Sequence, residues 1–241
     1  MLLANKENAL HKSVMLRVLI NILDDSFLSK NLFFKGGSCA SLLGYLDRFS
    51  IDLDFDIKNL AAKDDIKEKL ETIFKTLNLE IKDSSKNVIQ YHLKYEAPRG
   101  SRNTLKIDAI KTPYKNNIYD IASLSEITRY AICQTKETLF SNKLVALVDR
   151  FEKTKSVAGR DLYDTHHFLE RGFNFNQKLI EERRNTDYKS YLKFLVDFID
   201  KNFTQVNIDR DINTLLEYKQ FNAIRKTIKI ETIALLKDLI Q

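Results

Sequence analysis

The chain has 241 residues, 44% hydrophobic and 30% charged, with a formal net charge of +6. That length buries a full core as one large domain or two small ones, and six Gly and two Pro leave little room for disordered linkers. Cys39 and Cys133 are too few for a disulfide framework, no apolar run approaches the ~20 residues that span a bilayer, and MLLANKENALHKS has charges where a signal peptide needs its apolar region, so the expectation is a cytoplasmic protein outside the membrane.

Part of the positive excess is local, with eight Lys/Arg against three acids between Lys82 and Lys115. A basic surface attracts phosphate polymers, although lysine-rich composition also accompanies AT-rich genomes, so the charge alone leaves nucleic-acid binding open.

In chain order, Leu10, Val14, Leu16, Val18, Leu19, Ile22 and Leu23 recur at near-helical spacing and predict an amphipathic helix from about Asn8 to Leu23. Asn31 to Lys35 reads as a short strand running into Gly36-Gly37-Ser38, followed by a short helix from Cys39 to about Tyr45. Ile51 to Ile57 alternates apolar and acidic residues strictly, which is the period of a strand with Asp52, Asp54 and Asp56 on one face. A helix follows from about Asp64 to Leu77, with Asp64 or Asp65 placed to cap it. Leu79–Lys82, Val88–Tyr95 and Thr104–Lys111 are strand candidates, with a turn at Pro98-Arg99-Gly100. From about Ser125 the pattern becomes helical, over Glu137–Lys153, Asp161–Arg171, Gln177–Arg184, Tyr188–Asn202, Ile208–Lys219 and Ala223–Ile240. The expected architecture is an α/β (α+β) domain over 1–124 with a small mixed sheet, then a helical domain over 125–241.

The acidic strand carries the first chemical signal. Residues i and i+2 share a face, so Asp52 and Asp54 present two carboxylates side by side, an arrangement that suits a hard divalent cation. The plainer reading is a solvated edge strand whose acids discourage aggregation. The glycine pair upstream shifts the balance, because it lets backbone approach a ligand closely and the following helix start offers free N–H groups to a phosphate. Eleven residues separate Ser38 from Ser50.

The stretch FKGGSCASLLGYLDRFSIDLDFDI resembles the signature of the AbiEii/AbiGii-type nucleotidyltransferases of the polymerase-β-like superfamily: a GG[ST] turn, a spacer helix and an R-F-S-x-D-[LI]-D-F strand. Ser38 stands where Thr is commoner. The family includes toxins of toxin–antitoxin and abortive-infection systems, and its MenT-type members resemble enzymes that add nucleotides to the tRNA 3′ end. The resemblance implies a nucleotidyltransferase fold with a helical bundle completing the active-site cleft. It further implies Gly36, Gly37 and Ser38 at the triphosphate and Asp52 and Asp54 on Mg²⁺ or Mn²⁺, with Asp108 in TLKIDAI as third carboxylate or else a single outward-facing acid. Lys143 in SNKLVALVDR and Asp161 in RDLYD match the family's helical Lys and R-D-[LI]-Y-D segment, with Lys143 at the triphosphate and Asp161 positioning Lys143 or the nucleotide. Asp161 otherwise reads as a helix cap, Asp164 as structural, and Lys143 as a salt-bridged helix lysine. The implied partners are a nucleoside triphosphate, an RNA acceptor such as tRNA, and a cognate antitoxin. The alternatives are a protein or small-molecule acceptor on the same fold, or a non-catalytic nucleotide-binding protein. His166-His167 lacks metal-pair spacing, and Cys39, though near a helix start, reads as a small buried residue.

Overall fold

The apolar face of the first helix, α1 (Asn8–Asp24), buries Met15, Val18, Leu19 and Ile22 completely, which fixes it against a sheet. The structure, a computed structural model, describes residues 8–241; the first seven residues of the segment read above as unlike a signal peptide lie outside the described residues. A short helix α2 (Leu28–Asn31) leads into strand β1 (Leu32–Lys35), then α3 (Gly36–Leu42), β2 (Asp52–Ile57) and α4 (Lys63–Thr76). Strands β3 (Glu80–Ser84), β4 (Ile89–Lys94), β5 (Thr104–Ile110), β6 (Tyr119–Leu124) and β7 (Arg129–Gln134) follow.

The seven strands form one mixed sheet in the order β3-β4-β5-β2-β1-β7-β6. β2 pairs antiparallel with β1 and parallel with β5, so the acidic strand is central, where both neighbours fix its register. Alternation sends Leu53 and Phe55 of β2, Tyr91 and Leu93 of β4, and Leu105 and Ile107 of β5 into the core. α1 and α4 cover that face, α4 contributing Ile66, Leu70 and Phe74. Asp64 and Asp65 lie in the first turn of α4 without capping it; the N-cap is Ala62, which has no side chain to accept a bond.

Two of the strands, β6 and β7, fall outside the strand candidates of the sequence. β6 is mostly exposed and so lacks an apolar face, and β7 buries only small residues on its core side, Ala131 and Cys133. The chain divides into two compact units, residues 1–113 with 119–134, and residues 114–118 with 135–241. The sequence division at 124/125 separates these last two strands, which belong together in the first unit.

The second unit is helical: α5 (Lys136–Thr154), α6 (Gly159–Glu170), α7 (Gln177–Arg184), α8 (Tyr188–Asn202), α9 (Gln205–Ile212), α10 (Tyr218–Ile224) and α11 (Ile228–Asp238). Side-chain caps start several of them, from Thr135 on Thr138 N–H, Asn176 on Leu179 N–H and Asp187 on Ser190 N–H. The last three helices replace the two expected over Ile208–Lys219 and Ala223–Ile240. A capping box between Thr204 and Asn207 starts α9 earlier, and a turn after Ile212 buries both Leu215 and Leu216. α6 packs on α5, α9 and α11. At its start, Gly159 lies against the backbone of α9, where an added Cβ would stand 2.9 Å from Ile208 Cα, and its N–H donates to Asp211 Oδ2 at 2.8 Å.

Candidate active site

Because β2 alternates, Asp52 and Asp54 point away from the buried Leu53 and Phe55, and both are partly exposed. Register places Asp108 of β5 directly beside Asp54, and Lys35 of β1 on its other side. Three carboxylates thus stand at adjacent positions on one face of two central strands.

The glycine turn is against this face. Gly36 opens α3 at φ +77°, and a Cβ built on it would lie 2.5 Å from Asp54 Oδ2. The Asp54 carboxylate therefore occupies the space a side chain at 36 would need, and only glycine fits there. We expect Gly36→Ala to cost roughly 1–2 kcal/mol of stability through the left-handed backbone, and to displace Asp54. Transfer activity should then fall more than tenfold, beyond what the stability loss explains; melting curves and turnover measured on the same preparation check this.

Ser38 is completely buried. Its hydroxyl has one proton, and the Asp52 carbonyl can only accept, so Ser38 donates there and takes a bond from the Ser50 hydroxyl at 3.0 Å. The side chain thus ties α3 to the start of β2. Next to it, the buried Arg48 bonds the Phe49 carbonyl at 2.8 Å, and the carbonyl of Arg48 accepts from Ser41 at 2.7 Å. The R-F-S segment is a brace that fixes where β2 begins.

His11 braces the same point from α1. It is buried, its Nε2 donates to the Ile51 carbonyl at 2.8 Å, and its Nδ1 meets the Tyr95 hydroxyl at 2.6 Å. Burial pushes the imidazole down to about 4 from the ordinary 6.5, against the raising effect of its bond to the Ile51 carbonyl and with help from the charge of Arg102. The unfolded ring takes a proton near pH 6.5 and the folded ring only near 4. The native advantage is complete above pH 6.5 and disappears as pH falls through that window, by about 3 kcal/mol in all. Denaturant midpoints at pH 7, 5.5 and 4.5 should drop accordingly, and His11→Gln should flatten the trend. An equally steep trend in the variant would refute this origin.

Asp56, third on the acidic face, is buried among partners: Lys35 Nζ at 2.7 Å, Tyr119 Oη at 2.8 Å and Gln134 Nε2 at 2.8 Å. Burial, with Asp56 alongside, raises the Tyr119 phenol and keeps it a neutral donor. Asp108 is also engaged, bonding Lys106 through Oδ2 and accepting from Gln90 Nε2 at 2.8 Å through Oδ1. Asp52, Asp54 and Asp108 are hard oxygen donors, the type a divalent cation takes, at neighbouring register positions. Among the described residues no group of three or more His, Cys, Asp or Glu is arranged to hold a metal ion.

In the helical unit, Lys143 on α5 pairs with Asp164 on α6, Nζ to Oδ2 at 2.7 Å, the carboxylate being fully buried. The resemblance gave Asp161 a role in positioning Lys143 or the nucleotide; the ion pair to Lys143 comes from Asp164, which the sequence ranked lower. Asp161 instead accepts from Arg150 Nε at 2.8 Å. It does not cap α6, whose N-cap is Ala158. One turn further along, His166 bonds Glu231 at 2.9 Å. Cys39 is buried, and burial beside Cys133 pushes its thiol up, away from reactivity.

Residues 17–235 match the family model described as nucleotidyl transferase AbiEii toxin, type IV TA system. The chain belongs to the AbiEii nucleotidyltransferase toxin family. As a family member it is a nucleotidyltransferase, with a nucleoside triphosphate as substrate and a cognate antitoxin as partner. JHP933 from Helicobacter pylori has the same fold at a TM-score of 0.61 and 20% identity, covering 98% of this chain and 93% of that one. MenT4, a nucleotidyltransferase toxin from Mycobacterium tuberculosis H37Rv, aligns at a TM-score of 0.54 and 16% identity, covering 96% and 84%. No curated protein sequence matches the chain. Among the described residues no helix is long and apolar enough to cross a membrane. Lys106 and Gln90 are the neighbours of Asp108 that sequence reasoning missed. Lys106, two residues before Asp108 on the same strand face, was the one findable by alternation.

Proposed function

We propose that this AbiEii-family enzyme transfers a nucleoside monophosphate from a nucleoside triphosphate to an RNA acceptor, tRNA being the expected one, with Mg²⁺ or Mn²⁺ as the required cation. The observation that carries the reading is the placement of Asp54 between Asp108, its register partner, and the left-handed Gly36, whose missing side chain leaves room for its carboxylate. Asp52 and Asp54 would hold the cation, with Asp108 completing the set. A divalent cation there would supply Lewis acidity and offset charge on the reacting phosphates.

The chain's own groups do the remainder. Backbone N–H groups at Gly36 and Gly37 would receive the triphosphate, in a turn whose missing side chains let it pack on Asp54, Ser50 and Arg48. Ser38 serves that turn by fixing it to the Asp52 carbonyl. Asp108 accepts the proton of the attacking hydroxyl, whose oxygen bonds the α-phosphorus as the bond to the pyrophosphate oxygen breaks. In the helical unit Lys143 is held by Asp164 as a point charge and Asp161 is held by Arg150, and the family resemblance assigns Lys143 and Asp161 to the nucleotide.

An RNA acceptor is supported by the exposed Lys82, Lys86, Lys94, Arg99 and Arg102 along β3, β4 and the loop leading to β5, against Asp83 and Glu96 in the same stretch. Incubation with labelled nucleoside triphosphates, Mg²⁺ and mixed cellular RNA and protein tests the reading. Label is expected in RNA, at the 3′ end. Label on protein alone would reject the RNA acceptor, and no label on any acceptor, with nucleotide still bound, would favour a non-catalytic binding protein.

A further inference from the structure

The acidic face carries a cation of its own. Register sets Lys106 of β5 beside Asp52 of β2, and alternation sets it on the same face as Asp108, two residues on. Its ammonium bonds Asp108 Oδ2 while the Gln90 amide holds Oδ1. Lys106 is 34% exposed and Asp108 21%, so the pair is screened by water only in part. Carboxylates at the adjacent positions 52, 54 and 108 repel one another unless positive charge lies among them. Lys106 supplies such a charge, and it occupies an oxygen that a divalent cation would need.

We propose that Lys106 is a resident counter-cation, a positioning residue that holds Asp108 when no divalent ion is bound and yields the carboxylate when one arrives. This rests on the reading that Asp52, Asp54 and Asp108 hold the ion. The flexible four-carbon stem lets the ammonium withdraw with the strand unmoved. Gln90, being neutral, stays on Oδ1 and keeps the carboxylate aimed during the exchange. Lysine and divalent ion therefore compete for Asp108. Removing the lysine charge tightens ion binding and takes one positive charge away from Asp108 in the ion-free protein.

The test is Mn²⁺ titration of the full chain without nucleotide, followed by calorimetry and by the paramagnetic resonance of free Mn²⁺. Wild type is compared with Lys106→Met, Lys106→Gln, Lys106→Arg and Asp54→Asn. Lys106→Met and Lys106→Gln should each bind Mn²⁺ roughly tenfold tighter or more, and should melt lower than wild type without the ion and gain more on its addition. Lys106→Arg, which keeps the charge, should bind as wild type does. If Asp54→Asn abolishes wild-type binding but neither uncharged variant binds tighter, the role of Lys106 is overturned while the metal-site reading stands. If wild type binds no Mn²⁺, or binds it equally well with Asn at 54, the metal-site reading falls and the exchange falls with it.

Discussion

Asp54→Asn is expected to lower nucleotidyl transfer by roughly 10³-fold, about 4 kcal/mol of barrier, in a protein that still folds and melts cooperatively. Asn keeps the shape that fits over Gly36 but lacks the charge that would hold a divalent cation between β2 and β5. Asp54 stands beside Asp108 and two residues from Asp52, so a neutral side chain also takes one charge out of a run of three carboxylates. Turnover with labelled nucleoside triphosphate and a melting curve on the same sample measure both halves. Near-normal turnover in a correctly folded variant would remove Asp54 from the chemistry.

Asp56→Ala should give the opposite result, although the residue lies on the same strand and faces the same way. Its carboxylate is buried under Lys35, Tyr119 and Gln134. Truncation strands a lysine ammonium that is only 19% exposed, together with a phenol and an amide that have lost their acceptor. Breaking a buried ion pair by removing one member costs about 3–5 kcal/mol, so chemical denaturation should show a loss of that size. Residual activity at low temperature should track the folded fraction. A fully stable Asp56→Ala protein without activity would instead make Asp56 a ligand of the reacting centre.

The contrast between these two acids marks how far the sequence could be read. Alternation in FSIDLDFDI reveals which side chains share a face, and Asp52, Asp54 and the buried Leu53 and Phe55 follow directly. Alternation carries no information about what lies over that face, so the burial of Asp56 under β7 and β6 residues is invisible to it. Those two strands escaped notice because one has no apolar side and the other buries only Ala131 and Cys133. At the chain's end, Ile208, Ile212, Leu215 and Leu216 keep helical spacing through a break in the helix, so periodicity could not reveal the turn. The ion pairing of Lys143 with Asp164 rather than Asp161 depends on how α5 and α6 are rotated against each other, and spacing along one helix does not encode that.

Gly159 gives the C-terminal helices a mechanical standing that their sequence does not advertise. The chain can press the start of α6 onto the main chain of α9 only because no side chain intervenes, and Asp211 grips the N–H exposed by that contact. The helix bearing Asp161 and Asp164 is thus seated on residues that come about fifty positions later. Changes in the tail can therefore alter the set of α6, and with it the Lys143–Asp164 pair, without touching any residue on that helix.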